Sequence, residues 1–230
     1  MEEKSQSLTY LEPLAQRALK LVKPGTTIGL GTGRTATAFI RALGASGIKI
    51  RGVPTSEASH QLAKSLGIEL TTLHEVAKLD AVFDGADEVD PDLNMIKGLG
   101  GALVREKVVA VASKKHYYLA GDEKLVKRLG EHGNLPVEVI PFASAFAIRE
   151  IKQLGLEAKI RKTKDGSEYI SDNGNLVLDC KIGTIRNPGK LDRQIETIPG
   201  VLGTGLFVGI ADMVLVASQN GKVKTLKRRD

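Results

Sequence analysis

Hydrophobic positions in the first part of the chain follow two different rhythms. Residues 5–23 place apolar side chains at the 3.6-residue spacing of an amphipathic helix, and "KPG" ends that pattern. Short apolar runs typical of buried strands then alternate with amphipathic segments. The predicted strands are TTIGLG, IKIRGV, LDAVFDGAD and HYYLAGD, and the predicted helices between them are TATAFIRALGA, SEASHQLAKSLG and GALVREKVVAVASKK. Such alternation predicts βαβ units and a mainly parallel sheet.

The pattern changes near residue 132. The segments that follow read as strand, helix, two strands, helix and strand: LPVEVIP, FASAFAIREIKQLG, LEAKIRK, NLVLDCKI, PGKLDRQIET and GTGLFV. This β-α-β-β-α-β order is that of a split βαβ module, and "DMVLVAS" is one more buried strand that could return the chain to the first sheet. We therefore predict an α/β protein. Residues 1–132 and 207–230 would form a Rossmann-like, mainly parallel sheet with helices on both faces, and residues 133–206 a smaller inserted α+β domain of ferredoxin-like type.

Composition places the chain among ordinary globular proteins. Of its 230 residues, 42% are hydrophobic and 26% charged, which favours a packed core over disorder. No apolar run reaches the roughly 18 residues of a membrane span, and the first ten residues lack the pattern of a signal peptide. We expect a cytoplasmic protein with no membrane partner. The single cysteine, Cys180, lies in a strand-like run and is interpreted as a structural thiol.

The charge balance suits an anionic partner. Lys and Arg number 33 against 27 acids, a net charge of +6, and much of the excess lies in the last nine residues, "KVKTLKRRD", interpreted as a solvated basic tail. Aromatic residues make up only 4% of the chain, so the stacking platforms of a nucleic-acid-binding protein are not expected. A phosphate ester fits the charge equally well, and we predict no nucleic-acid partner.

A glycine-rich loop, "GLGTGRTA" at residues 29–36, joins the first strand to the next helix. Glycine lets the backbone approach a ligand, the helix N-terminus offers free N–H groups to an anion, and Thr32 and Thr35 can add hydroxyl donors. A Walker loop would need Gly-Lys-Ser/Thr where this chain has Gly33-Arg34-Thr35.

The same loop partly matches a dinucleotide-binding pattern. Such sites have an acid about 20 residues later for the ribose hydroxyls, whereas here the second strand ends in "VPTSEAS". Its hydroxyls, on Thr55, Ser56 and Ser59, suit phosphate or sugar oxygens better. An NADP-linked oxidoreductase that uses Arg34 or Arg51 remains an alternative.

Four carboxylates crowd into "DGADEVD", residues 84–90, at the end of a predicted buried strand. Repulsion between like charges makes such a cluster costly unless cations, hydrogen bonds or chemistry use it. The spacing does not fit a calcium loop, and the four histidines lack the spacing of a transition-metal site, so we predict no metal. Glu88 and Asp90 are interpreted as cap or surface residues.

A second glycine turn follows in "MIKGLGGALVREK", residues 95–107. Lys97 precedes this turn, and Glu106 lies on the helix after it. Loops that follow the carboxyl ends of parallel strands meet in one crevice, so the loops at 31–35, 84–87 and 97–106 should lie together. They would supply phosphate donors, carboxylates and one ammonium, which are the groups needed to move protons on a sugar phosphate.

The order and spacing of these motifs resemble A-type ribose 5-phosphate isomerase. The resemblance rests on "GLGTGRTA", "PTSEAS", "DGADEVD" and "KGLGGALVREK", with "LPVEVIPFA", "DNGN" and "IPGVLGTGLF" beyond them, and it covers nearly the whole chain. It implies interconversion of ribose 5-phosphate and ribulose 5-phosphate through an enediolate, in the non-oxidative pentose phosphate pathway. It also implies no metal or organic cofactor, and a homodimer or homotetramer.

The resemblance also implies site residues. Glu106 corresponds to the general base, Asp84 and Asp87 to carboxylates that handle hydroxyl protons and ring opening, and Lys97 to the cation near the enediolate. The implied substrate-binding residues are Thr32, Gly33, Arg34, Thr35, Asp84, Gly85, Ala86, Asp87, Lys97, Gly98, Leu99, Gly100 and Lys124.

This chain departs from the family pattern at two of the binding positions. Arg34 replaces a common Ser or Thr, and Leu99 replaces a common Gly. The alternatives to the isomerase are the NADP-linked oxidoreductase and a catalytically silent sugar-phosphate sensor. The sequence has no N-terminal helix-turn-helix pattern, which argues against a sensor related to transcription regulators.

Overall fold

The computed structural model describes residues 10–228. In chain order, the first half forms α1 (Leu11–Leu19), β1 (Thr27–Leu30), α2 (Arg34–Ser46), β2 (Arg51–Pro54), α3 (Glu57–Ser65), β3 (Glu69–Leu70), β4 (Ala81–Gly85), β5 (Glu88–Val89), β6 (Met95–Ile96), α4 (Leu103–Val111) and β7 (His116–Gly121). The predicted alternation of strands and helices is confirmed. The first helix is shorter than predicted, and residues 5–9 of that prediction lie outside the described range.

Seven strands form the main sheet, in the order β14-β13-β7-β4-β1-β2-β3. All neighbouring pairs are parallel except the first pair in this order, in which β14 (Val223–Lys227) and β13 (Met213–Ala217) run antiparallel. The chain leaves β1 toward one edge of this sheet and leaves β4 toward the other. Because β1 and β4 are neighbours, their carboxyl ends flank a crevice at this topological switch point.

Helices cover both faces of the sheet, as predicted. On one face, α1, α2 and α3 pack over a core that includes Phe39, Phe83 and Leu215. On the other face, α4 packs over a core that includes Val82, Val109 and Val214. The strands are apolar on both sides because both faces are buried, which is the usual property of parallel sheets.

The second half contains β8 (Asn134–Val139), α5 (Ser144–Gln153), β9 (Glu157–Ile160), β10 (Leu176–Lys181), α6 (Pro188–Glu196), β11 (Val201–Thr204), β12 (Leu206–Phe207), β13 and β14. Four of these strands form an antiparallel sheet of order β11-β8-β10-β9 with its own apolar core. The β-α-β-β-α-β order is the one predicted. The division into domains at residues 132 and 207 stays a prediction.

Two features of the second half differ from the sequence-based expectation. The interpretation of "KVKTLKRRD" as a solvated tail is wrong for residues 223–227, because they form the edge strand β14 and pair with β13 from Met213↔Lys227 to Ala217↔Val223. A small sheet of order β12-β6-β5 was not predicted either, and it joins Leu206 to Ile96 across the chain. Residues 229 and 230 of the tail lie outside the described range.

Two further expectations concern single elements. Cys180 is buried in β10, where burial raises the pKa of its thiol to about 12, as expected for a structural cysteine.

Within residues 10–228, no helix combines the length and apolarity needed to span a membrane.

Candidate active site

A crevice opens at the carboxyl edge of the main sheet, where β1, β4 and β7 end. Its volume is about 560 Å³ with the open mouth included. It is lined by Tyr10, Thr32, Gly33, Arg34, Thr35, Gly85, Ala86, Asp87, Lys97, Gly98, Gly100, Glu106, Ala120, Gly121 and Lys124. The three loops predicted from the sequence therefore lie together.

Hydroxyl groups beneath the first loop bond to one another and away from the crevice. The Thr32 hydroxyl lies 2.8 Å from the hydroxyls of both Thr55 and Ser56, and the Ser59 hydroxyl donates to the Gly31 carbonyl at 2.6 Å. Thr55, Ser56 and Ser59 are all buried. The expectation that they face phosphate or sugar oxygens is wrong in this structure, because their hydrogen bonds hold the loop in place.

Asp84 is held behind the crevice by backbone donors. Its Oδ1 accepts hydrogen bonds from the Thr32 N–H at 3.0 Å and from the Gly85 N–H at 2.7 Å. The chain approaches so closely that a Cβ on Gly31 would lie 2.1 Å from Asp84 Oδ1, which explains the glycine at that position. Asp84 is 1% exposed. Its hydrogen bonds to Thr32 and Gly85 join the loop after β1 to the loop after β4.

Lys97 lies at the centre of the site and is buried. Its Nζ lies 3.0 Å from Asp84 Oδ2 and 3.4 Å from Glu106 Oε2, and it donates to the Gly85 carbonyl at 2.6 Å. Burial lowers the pKa of Lys97, but the carboxylates of Asp84, Glu106 and Asp87 outweigh burial and hold this pKa above its ordinary value. The ammonium is therefore a fixed positive charge.

Aromatic rings form the apolar floor under this charge. The Lys97 Nζ lies 5.7 Å from the centroid of the Tyr118 ring and 5.4 Å from that of Phe207. Both rings are fully buried, and their electron-rich faces attract a cation. They also exclude water from the side of Lys97 that faces the sheet.

Glu106 lies in the first turn of α4 and is 3% exposed, yet it lines the crevice. Burial is the main cause that raises the pKa of Glu106 to about 8, and the negative charges of Asp84 and Asp87 add to it while Lys97 opposes it. Burial likewise raises the pKa of Asp84 against the pull of Lys97. A carboxyl whose pKa lies near neutrality can both take and release a proton.

Asp87 occupies the side of the crevice next to the second glycine turn. Its Oδ2 accepts a hydrogen bond from the Leu99 N–H at 3.0 Å, and its own N–H donates to the Ile96 carbonyl at 2.9 Å. These bonds join the β4 loop to the turn at 98–101. Asp87 is therefore held facing the same space as Glu106 and Lys97.

Positive groups gather at the end of the crevice formed by α2 and β7. Arg34 begins α2, where the free N–H groups of a 13-residue helix face the crevice mouth. Lys124 ends a short 3₁₀ helix, Asp122–Lys124, directly after β7. The Tyr10 hydroxyl donates to Glu123 Oε1 at 2.9 Å. This bond joins the residue before α1 to the short helix after β7.

Most predicted site residues line the crevice, but two do not. Asp84 lies behind Lys97, and the Leu99 side chain is 43% exposed on the outside of its turn. Sequence reasoning missed Tyr10, Ala120 and Gly121 as lining residues. The sequence could have indicated Gly121, because it ends a predicted parallel strand, and the carboxyl ends of such strands meet at the same edge of the sheet. Tyr10 had no such signal.

The acids that follow Asp87 serve the fold. The expectation that Glu88 is a cap or surface residue is wrong, since it is 1% exposed and accepts hydrogen bonds from the Gly130 and His132 N–H groups. Asp90 does cap a turn, accepting from the Asp92 and Asn94 N–H groups at 2.9 and 2.8 Å. In the described part of the chain, no group of three or more His, Cys, Asp or Glu side chains is placed to hold a metal ion.

The chain is similar to known proteins over nearly its whole length. The family described as ribose 5-phosphate isomerase A (phosphoriboisomerase A) matches residues 51–221. A protein of Parvibaculum lavamentivorans named ribose-5-phosphate isomerase A is 48% identical over 216 residues, covering 90% of this chain and 93% of the relative.

Solved structures show the same similarity. Ribose 5-phosphate isomerase A from Methanocaldococcus jannaschii aligns with a TM-score of 0.90 at 42% identity, covering 95% of this chain and 98% of that one. A D-ribose-5-phosphate isomerase in complex with phospho-erythronic acid aligns with a TM-score of 0.91 at 38% identity, covering 96% and 98%.

Proposed function

The chain belongs to the ribose 5-phosphate isomerase A family and interconverts D-ribose 5-phosphate and D-ribulose 5-phosphate; we propose that Glu106 carries the proton between C2 and C1 of the sugar. The observation that supports this role is the position of its carboxylate, buried at the crevice wall 3.4 Å from the Lys97 ammonium. The raised pKa of Glu106 matches the task, because the group must take a proton from carbon and return it.

The reaction starts from the open-chain aldose. Glu106, as the carboxylate, removes the C2 proton, and the electron pair of that C–H bond moves into the C1–C2 bond while O1 takes the negative charge. The proton held by Glu106 exchanges with solvent, and Glu106 then delivers a proton to C1 as the enediolate double bond is lost. O2 gives up its hydroxyl proton and becomes the ketone, while O1 takes up a proton and becomes the C1 hydroxyl of ribulose 5-phosphate. No electron leaves the sugar, so the isomerisation is balanced.

Negative charge on O1 and O2 of the enediolate requires a positive environment in place before the reaction. Lys97 supplies a charge whose position is fixed by Asp84, the Gly85 carbonyl and Glu106. The amides of the second glycine turn add neutral donors. Preorganised groups of this kind stabilise a developing anion strongly because they need no reorientation during the reaction.

Asp87 is proposed to exchange the hydroxyl protons of O1 and O2 and to assist ring opening. It lines the crevice, and its Oδ2 is held by the Leu99 N–H on one side only. Asp84 is proposed to act on the same protons through its contact with Lys97, since it lies behind that residue. Two carboxylates with different surroundings are suited to different proton transfers.

The sugar phosphate is proposed to bind at the end of the crevice that contains residues 32–35, Arg34 and Lys124. Its dianion would meet the N–H groups at the start of α2 and the two cationic side chains. Binding energy at this remote group positions C1 and C2 against Glu106. Free ribose should therefore be a far poorer substrate.

A direct assay tests the proposed activity. Purified protein is mixed with ribose 5-phosphate without added nucleotide, and ketose formation is followed together with solvent deuterium incorporation at C1 and C2. Formation of ribulose 5-phosphate with exchange is expected. An obligatory requirement for NADP would support the oxidoreductase, and ligand binding without turnover would support the sensor; nothing in the comparisons favours either alternative.

The assembly and location follow as further proposals. We propose a homodimer or homotetramer, supported by large apolar side chains left exposed on one subunit: Phe142 at 97%, Val111 at 66% and Leu202 at 48%. Light scattering that finds only monomer at working concentration would contradict this. We also propose the cytoplasm as the location, which cell fractionation would test.

A further inference from the structure

Two side chains from residues 161–175, the segment that joins β9 to β10, contact the second glycine turn. Arg161 follows β9, and its Nη1 donates to the Leu99 carbonyl at 2.9 Å and to the Gly98 carbonyl at 3.5 Å. The Tyr169 hydroxyl donates to the Gly100 carbonyl at 3.1 Å. The carbonyls of three successive residues in the turn are thus bound from the side of the α+β sheet.

Because the peptide bond is planar, these contacts to the carbonyls also fix the direction of the N–H groups in the turn. In a trans peptide, the N–H of one residue points opposite to the C=O of the residue before it. The bond that follows Gly98 shows this directly. The Gly98 carbonyl accepts from the Gly101 N–H at 2.9 Å and lies 3.5 Å from Arg161, while the Leu99 N–H donates to Asp87 on the crevice side. The Leu99 carbonyl also faces Arg161, so the Gly100 N–H points toward the crevice that Gly100 lines.

That N–H is free to bind an oxygen. Within residues 10–228, no group accepts a hydrogen bond from the Gly100 N–H. An N–H donor beside Lys97 and Glu106 is placed to bind an oxygen of the enediolate. If the 99–100 peptide turned over, a carbonyl would replace this donor and repel the anion.

Arg161 is itself held firmly. Its guanidinium forms a forked contact with Asp179 on β10, with Nη2 at 2.6 Å and Nε at 3.0 Å, and its Cζ lies 5.6 Å from the centroid of the Tyr169 ring. Tyr169 packs against the turn so closely that a Cβ on Gly101 would lie 2.2 Å from its hydroxyl oxygen. The three side chains form one rigid support for the turn.

We propose that Arg161, assisted by Tyr169, is a positioning residue that fixes the 99–100 peptide with its N–H toward the enediolate oxygens. This role deepens the proposed isomerase activity and rests on it. Neither side chain lines the crevice. Both act through the backbone of the turn between Lys97 and Glu106.

The test compares turnover with binding of phospho-erythronic acid, whose carboxylate shares a negative charge between two oxygens, as the enediolate does. Arg161→Met keeps the apolar stem and removes the fork, and Tyr169→Phe removes one hydroxyl. Lys162→Met is the matched control, because Lys162 is the next residue, is exposed and pairs only with Glu168 at 3.5 Å among the described residues. Circular dichroism confirms that each variant is folded.

For Arg161→Met we expect kcat to fall about 10- to 100-fold and the inhibition constant of phospho-erythronic acid to rise by a similar factor, with KM changed by less than about threefold. Tyr169→Phe should change both quantities in the same direction by less, and it carries the test alone if Arg161→Met does not fold. Lys162→Met should match the wild type.

Two results would overturn the proposal. One is wild-type kcat and inhibitor binding in the folded Arg161→Met or Tyr169→Phe protein. The other is a loss of kcat with unchanged inhibitor binding, which would indicate general loosening of the site. Wild-type protein that forms no ketose would instead refute the isomerase activity itself.

Discussion

The Lys97 ammonium lies 3.4 Å from the Glu106 carboxylate, and both side chains are buried. An isolated charge of either sign would be costly there, so each group makes the presence of the other tolerable. Asp84 contacts the same ammonium at 3.0 Å and competes for its charge. Burial, with the charge of Asp84 added to it, keeps Glu106 only partly stabilised as an anion, which is the condition that a reversible proton carrier needs.

Replacing Glu106 tests the proton transfer. Glu106→Gln keeps the size and polarity of the side chain but cannot accept a proton, so kcat should fall on the order of 10²- to 10⁴-fold with little change in substrate binding. Turnover and solvent deuterium exchange at C1 and C2 of the sugar should fall together, because both report abstraction of the same proton.

The control for this variant is Glu168→Gln, which makes the same change at an exposed acid in the segment between β9 and β10. It should leave turnover and exchange at wild-type rates. Near wild-type exchange in Glu106→Gln would show that another carboxylate is the base, and Asp87 would then be tested first because it lines the crevice.

A pH profile tests the raised pKa of Glu106. In the proposed mechanism only the ionised carboxylate of Glu106 takes the C2 proton, and its pKa is raised to about 8 in the free protein. The value of kcat/KM for ribose 5-phosphate should therefore rise with pH up to about 8 and level off above it. Titration of the substrate phosphate, whose second pKa lies near 6, is measured separately. A flat profile between pH 6.5 and 9 would contradict the raised pKa.

Much of the fold could be predicted because its signals are local. Each long helix follows a period of 3.6, and each central strand of the main sheet is a short apolar run, while the parallel order of strands brings the three loops to one edge. The edge strand β14 also had a short local signal, since the half-buried Val223 and Thr225 lie on either side of the exposed Lys224. The high charge of the segment led to its interpretation as a tail.

The remaining features depend on contacts between distant residues. The Leu206↔Ile96 pair joins strands of two residues each, too short for any periodic pattern. Glu88 is buried because N–H groups more than 40 residues later need an acceptor. The contact of Arg161 with Leu99 is equally remote. No pattern in one sequence marks such pairs, because each residue alone resembles an ordinary surface or loop residue.

Protein stability should reveal the cost of burying the Glu106 carboxylate. The pKa of Glu106 is higher in the folded protein than in the unfolded chain, so the folded state binds the extra proton and wild-type stability falls as pH rises from about 4.5 to about 8. Glu106→Gln lacks this cost. Its melting temperature should exceed that of the wild type, by more at pH 8 than at pH 5.5. Equal melting temperatures at both pH values would argue against an unfavourable anion at this position.

Removing the cation should have the opposite effect. Lys97→Met leaves Asp84 and Glu106 buried without their counter-ion, and breaking such a pair costs about 3–5 kcal/mol of unfolding free energy. The loss should be larger at pH 8 than at pH 5, because the carboxyls take up protons at low pH. Adding Glu106→Gln to Lys97→Met should recover part of the stability by removing one unpaired anion. Denaturant unfolding at the two pH values measures both effects.

Arg34 tests the phosphate end of the crevice. This side chain begins α2 and lines the crevice, so Arg34→Thr removes one positive charge near the proposed phosphate site and keeps a hydroxyl donor. Because Arg34 is exposed, we expect a loss on the order of 1 kcal/mol, seen as a roughly fivefold rise in KM for ribose 5-phosphate with a smaller change in kcat. Inhibition by inorganic phosphate should weaken by a similar factor, whereas turnover of free ribose should not change. Arg41→Thr is the matched control, since it removes an exposed arginine from the same helix outside the crevice. If both variants raise KM equally, the effect comes from the overall charge of the protein, and the phosphate does not bind beside Arg34.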